Sequence, residues 1–230
     1  MKSFQLPNLR RSVLAASCIF AFTASSAWAT LVTWQLNPTS TEAAVGSSSK
    51  SYTVSGYTIT ANGYDNNSGV GIAHELYLKN GGVGEIGLGL TNTAHNELQV
   101  DGLGNPLQFI QLDLTSILSQ GFTNGQIEVG SVQSGELFNL YGSNTLGQLG
   151  TKLNATAYDS SKDDVFVSVP NFGSFKFISV VSAAADVLPV AFQATVVPIP
   201  EAASILPVIV LVTVATAVEA RRRRRAADAA

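Results

Sequence analysis

Tyr52-Thr-Val-Ser-Gly-Tyr-Thr-Ile-Thr60 sets aromatic and β-branched residues among small polar ones, which reads as one half-buried β-strand and not as a helix. The same texture extends from it in both directions. Toward the N-terminus lie a Ser/Thr-rich loop over 37–51 and a first strand over 31–36, Leu-Val-Thr-Trp-Gln-Leu. Toward the C-terminus, Asn62-Gly-Tyr-Asp-Asn-Asn-Ser-Gly69 gathers residues that tolerate the left-handed conformation and reads as a loop. Strands follow over 72–79, 85–90 and 97–100, separated by the Gly81-Gly82 and Asp101-Gly102 turns. In 107–114, Leu107, Phe109, Gln111 and Asp113 alternate with Gln108, Ile110, Leu112 and Leu114, a central strand buried largely on one face, and 115–120 adds a helical turn. The second half supplies strands over 126–132, 137–141, 164–169, 174–182 and 187–196, with loops over 143–150 and 154–163. No long amphipathic helix pattern interrupts residues 30–197. About ten to twelve short strands without a blade or solenoid period predict an all-β fold, a two-sheet antiparallel sandwich of jelly-roll type.

The N-terminus is of another kind. Lys2, Arg10 and Arg11 precede an apolar stretch over 13–22, and Ala27-Trp28-Ala29 has the A-x-A form of a cleavage site. Residues 1–29 therefore read as a secretory signal peptide, with Thr30 as the first residue of the mature chain. Ala15-Ala16-Ser17-Cys18 is a weaker, lipobox-like alternative, since little apolar sequence precedes Cys18 and position 15 is not Leu. Cys18 is the one cysteine of the 230 residues. Its removal with the leader leaves a body without disulfides, thiolate ligands or a cysteine nucleophile.

The body, 30–196, is one domain's worth of chain and long enough to bury a core without cross-links. Residues 30–201 hold five Lys, no Arg, seven Asp and seven Glu, a net charge of −9. A domain with no arginine and a negative field lacks the usual means of holding phosphate, so nucleic acid is excluded as a partner.

From Ala202 to Ala220 the only charged residue is Glu219, and Arg221, Arg222, Arg223, Arg224 and Arg225 follow. A helix over 202–220 would be about 28 Å long, enough to cross the hydrocarbon core of a bilayer. Five arginines behind it act as a membrane stop held in the cytoplasm, with the body outside. Ahead of the span stands Val197-Pro-Ile-Pro-Glu-Ala-Ala-Ser204. The order of Pro-Ile-Pro-Glu, apolar span and Arg cluster close to the C-terminus resembles the PEP-CTERM sorting signal of bacterial exported proteins. That resemblance covers residues 197–230 and rests on Pro198, Pro200, Glu201 and the Arg cluster. Where the signature continues with a second Pro after Glu, this chain has Ala202. The resemblance implies an exosortase as partner, processing near the motif, and delivery through the inner membrane to the cell surface or an extracellular polysaccharide matrix.

Candidate chemistry in the body is sparse. His74 adjoins Glu75, and His95 is followed by Asn96-Glu97, yet there is no H-E-x-x-H, no G-x-S-x-G and no third metal ligand at a diagnostic spacing. Neighbouring residues of a strand point to opposite faces, which weakens a His74–Glu75 couple. The expectation is a protein without catalytic residues. Fourteen carboxylates leave room for a glycosidase acid and base, but Trp34 is the body's one tryptophan for stacking on sugars. Calcium is the candidate ligand, with Asp65, Asn67, Glu97 and Asp101 as oxygen donors. Read instead as turn and surface residues, the same four need no ion, and that reading is preferred. The leading expectation is thus a non-catalytic surface or matrix protein, with a carbohydrate-binding module second and a secreted hydrolase third.

Overall fold

Residues 52–60 do not run straight. Ser55 and Gly56 both take positive φ, 53° and 84°, the paired left-handed conformation of a two-residue hairpin turn. The chain folds back so that Val54 faces Tyr57, Tyr52 faces Ile59 and Lys50 faces Ala61. The expected single strand is a hairpin. Its return arm continues through the expected 62–69 loop as far as Asn67, and a second tight turn at Ser68 (φ 53°) and Gly69 (φ 88°) follows.

The computed structural model describes residues 29–101 and 103–196, and near the C-terminus residues 213, 214, 216–218, 220–222, 224, 225 and 228. Among them run β1 (Thr30–Gln35), β2 (Ala43–Ala44), β3 (Ser49–Val54), β4 (Tyr57–Asn67), β5 (Val70–Ala73), β6 (Leu76–Asn80), β7 (Ile86–Leu90), β8 (Gln108–Asp113), α1 (Thr115–Ser119), β9 (Phe122–Gly130), β10 (Leu137–Ser143), β11 (Thr151–Lys152), β12 (Val167–Ser168), β13 (Phe177–Ala184) and β14 (Leu188–Val196). The strands form a four-stranded sheet ordered β1-β14-β9-β12, a seven-stranded sheet ordered β11-β10-β13-β8-β4-β3 with β5 on β4, and a three-stranded sheet ordered β2-β6-β7. All the strand-to-strand ladders are antiparallel. The fold is all-β and sandwich-like, as expected.

One apolar core joins the sheets. Trp34, Phe192, Ile127 and Val129 of the four-stranded sheet meet Ile59, Ile110, Leu112, Leu140 and Val180 of the seven-stranded one, and Leu76, Leu88 and Leu90 of the small sheet belong to the same cluster. Alternation along each strand sends these side chains to one face, so burial of that face is what joins sheet to sheet. Trp34 is fully buried, its ring 5.7 Å from Phe122 and 5.9 Å from Phe192, and its indole N–H donates to Tyr57 O at 3.0 Å.

β8 is central, but it is buried on both faces. Ile110 and Leu112 enter the main core, while Phe109 packs with Leu149 and Val181 on the opposite face. The 143–150 loop covers that face. Gly147 N donates to Gln111 Oε1 at 2.8 Å, Gln111 Nε2 donates to Gln148 O at 2.9 Å, and Leu149 N donates to Gly69 O at 2.9 Å. A buried glutamine is held there because both ends of its amide are satisfied. Two further expectations need correction. The 72–79 strand breaks into β5 and β6 at His74-Glu75, and 97–100 forms isolated bridges instead of a strand, behind a short 3₁₀ turn at Ala94–Asn96.

The ends bear on the expected leader and anchor. Ala29 is exposed and outside any strand, and Ala27 lies outside the described residues. So do Pro198, Pro200, Glu201 and Ala202, with most of the expected 202–220 span. Residues 213, 214, 216–218 and 220 are helical, as are the exposed Arg221, Arg222, Arg224 and Arg225; Arg223 is outside the described residues. Among the described residues no helix is long and apolar enough to cross a membrane.

Candidate functional site: a polar pit beside the small sheet

Charged and polar side chains gather in a pit of about 280 Å³ lined by Lys79, Glu85, His95, Glu97, Ser131, Gln133, Glu136 and Asp186. Four segments bring them together. Lys79 sits near the end of β6, and Glu85 follows the turn that leads into β7. After β7 the chain enters the 3₁₀ turn, where His95 and Asn96 both have φ 56°. That turn packs tightly on β7: a Cβ on Gly89 would come within 1.8 Å of Asn96 O, so only glycine allows the approach. Leu98 and Val187 then exchange backbone hydrogen bonds of 3.1 and 3.2 Å, which sets Glu97 beside Asp186. The β9–β10 connection contributes Ser131, Gln133 and Glu136.

At the bottom of the pit Lys79 and Glu97 form a buried ion pair; Lys79 is 6% exposed and Glu97 3%. Glu97 Oε2 also accepts from Ser131 Oγ at 3.0 Å, and Glu85 approaches Lys79 Nζ at 3.6 Å. At the rim, His95 Nδ1 meets Asp186 Oδ2 at 2.8 Å, and Gln99 Nε2 donates to Asp186 Oδ1 at 3.1 Å. Burial pushes the Glu97 carboxyl above the ordinary range, against the opposing pull of Lys79 and Ser131. Glu136 is raised chiefly by burial as well, and the Asp186 hydrogen bond raises the His95 imidazole.

These shifts fix a pH dependence. A group whose folded-state pKa is raised binds more protons folded than unfolded, so its contribution is present below the unfolded pKa and is lost as pH rises through the folded one. Glu97 and Glu136 place that loss above 4.5, and His95 places its own above 6.5. Asp101 and Asp159, lowered by hydrogen bonds from Asn105 and Ser161, act oppositely below 3.8. Thermal midpoints across pH 3–9 are therefore expected to rise as pH falls from neutrality toward about 4.5 and to turn down below about 3.8. A maximum at or above pH 7 contradicts the assignment.

The sequence-derived candidates are not brought together. Asp65 Oδ1 lies 2.8 Å from His74 Nδ1, and His74 Nε2 meets Thr91 O at 2.6 Å, so both ring nitrogens are engaged. Glu75 turns away from His74 and accepts from Gly46 N at 2.8 Å. Asn67 closes β4 before the Ser68-Gly69 turn, and Asp101 caps its own turn by accepting from Leu103 N and Asn105 N, both at 2.8 Å. Of the four calcium donors only Glu97 lies in the pit, where its oxygens face Lys79 and Ser131. Among the described residues, no three His, Asp or Glu side chains are arranged to hold a metal ion. The pit has a His–carboxylate couple of the kind that orients a general base, but Ser131 donates to Glu97 and not to His95.

Sequence reading found His95 and Glu97 and missed Lys79, Ser131, Glu136 and Asp186. One signal was available for Lys79: it is the sole charge in Leu76-Tyr-Leu-Lys-Asn80, otherwise a buried strand. Asp186 has no such local mark, because only the Leu98–Val187 pairing brings it near. No family model, curated protein or solved structure matches this chain.

Proposed function

We propose that this chain is an exported, non-catalytic protein of the cell surface or extracellular matrix, sorted by an exosortase. The observation that carries it is the order of the tail: Pro198, Pro200 and Glu201, then nineteen residues with Glu219 as their single charge, then Arg221 to Arg225. The leader over 1–29 supplies export, the 202–220 helix a transient anchor, and the body over 30–196 the cargo. The strand orders β1-β14-β9-β12 and β8-β13-β10-β11 support a jelly-roll reading of that cargo, with β2 to β7 as an insertion after the first strand. The buried polar groups at the bottom of the pit, Lys79, Glu97 and Ser131, satisfy one another, which supports a structural role for it over a catalytic one. Replacing both Pro200 and Glu201 by Ala should leave the unprocessed chain in the inner membrane; unchanged processing and location in the host would sink the sorting claim.

A carbohydrate-binding reading is the second. It is favoured by the row Thr33, Gln193, Gln126 and Ser168, which face one another in register across the four-stranded sheet. Amides and hydroxyls spaced one strand apart, about 4.8 Å, suit an extended polysaccharide. Pull-down on the host's own exopolysaccharide, with Gln126→Ala and Gln193→Ala as the comparison, decides between the two readings.

A further inference from the structure

We infer that the edge strand β3 is a self-association site, where a second copy of this chain adds its own β3 antiparallel and joins two seven-stranded sheets into one. The argument begins with the hairpin. In a two-residue hairpin the residues flanking the turn are hydrogen-bonded to each other, and bonded and open pairs alternate from there. Val54, Tyr52 and Lys50 are therefore the β3 residues bonded to β4. The main-chain N–H and C=O of Ser51 and Thr53 point away from the sheet. Independent contacts fix the same phase, since Gly63 N reaches back to Ser48 O while Asn66 N serves the β8 side at Leu107 O. Both Ser51 and Thr53 are exposed.

Native sheets blunt such edges by shortness, charged side chains, proline, bulges or inward charge; of these β3 carries one lysine, Lys50, near its start. The edges at the far side of the sandwich, β11 and β12, are two residues long each. β3 has six residues, an unbroken register and no proline. Charge selects the occupant. Residues 30–201 sum to −9, so two copies repel over most of their surface, yet 46–64 contains no carboxylate and a single cation, Lys50. Two β3 strands related by a two-fold axis through Tyr52 put Ser51 opposite the second copy's Thr53, and each such pair exchanges both N–H···O bonds. Lys50 then faces Val54, which keeps the two ammonium groups apart. On the outer face, hydroxyl pairs already cross the hairpin at Ser51–Thr60 (2.9 Å) and Thr53–Thr58 (2.8 Å), and the second copy continues that row.

The test uses the full chain in a non-ionic detergent. Light scattering on a sizing column is expected to give twice the protomer's protein mass. Thr53→Pro removes one outward-facing N–H, leaves the main-chain ladder to β4 intact at the loss of the exposed Thr53–Thr58 hydroxyl contact, and should return the protomer mass. Ser51→Glu with Thr53→Glu, which keeps every N–H but brings carboxylates face to face, should do the same and guards against a folding defect in the proline variant. Amide exchange gives the site directly: Ser51 and Thr53 should be protected at high protein concentration and exposed on dilution, with Tyr52 and Val54 protected throughout. Protomer mass at every concentration overturns the inference. So does a doubled mass that both variants leave intact, or exchange at Ser51 and Thr53 that ignores concentration.

Discussion

Lys79→Met is expected to lower the unfolding free energy by about 3–5 kcal/mol at neutral pH, the usual result of removing one partner from a buried ion pair. The cost arises from what remains. Glu97, 3% exposed, would keep only the Ser131 hydroxyl against its charge. The reverse change, Glu97→Gln, should be milder, since Lys79 retains Glu85 at 3.6 Å and the amide can still take the Ser131 hydrogen bond. The pH dependence separates this account from simple loss of packing. Without Lys79 the Glu97 carboxyl rises further and escapes its penalty by taking a proton, so the loss in Lys79→Met should shrink as pH falls toward 4.5. Denaturant melts at pH 7 and pH 5 measure it, and an equal loss at both values rules the mechanism out. Replacing both residues, Lys79→Met with Glu97→Leu, should recover most of the stability, because a well-packed apolar pair avoids the desolvation of two ions. The pit would then be held by shape, and any ligand it serves would be lost without unfolding the body.

How far the sequence could lead is seen in residues 52–60. Tyr52 and Val54 occupy even positions, Tyr57 and Ile59 odd ones, and the change of phase falls at Ser55-Gly56. A strand cannot change face without a bulge, whereas a two-residue turn changes the phase and restores the face across the pair. The hairpin was therefore legible, and an overall impression of alternation concealed it. The Asn-rich 62–69 stretch is a different matter. Its residues suit a loop locally, and it becomes strand because β8 offers a complete ladder from Thr60 to Asp65. Tertiary pairing overrides a weak local preference there. The pit falls between these cases: a histidine and a glutamate stood out as titratable types, but their partners come from sequence positions far apart. Strand alternation reports which face a residue takes and is silent about which loop will arrive opposite it.

Trp34→Ala is expected to cost about 3–5 kcal/mol, the range for emptying a large aromatic from a well-packed core. Trp34 is the body's one tryptophan, and the fold assigns it to the interior, at zero exposure. Its ring lies against Phe122 of β9 and Phe192 of β14, and Tyr57 packs edge-on against Phe122 at 4.7 Å. The indole N–H reaches Tyr57 O at the start of the hairpin's return arm. One side chain thus joins β1 to the rest of its own sheet and to the first hairpin of the other. Trp34→Phe keeps much of the volume but removes the indole hydrogen bond to the Tyr57 carbonyl, so a smaller loss of about 1–2 kcal/mol follows. Chemical denaturation of the two variants measures the difference, and a loss below about 1 kcal/mol for Trp34→Ala would contradict the packing described. The functional consequence is specific. If glycan binding is found, it should survive Trp34→Phe, because a tryptophan sealed between two sheets cannot stack on a ligand, and the row of Gln126 and Gln193 would be the place to look for it.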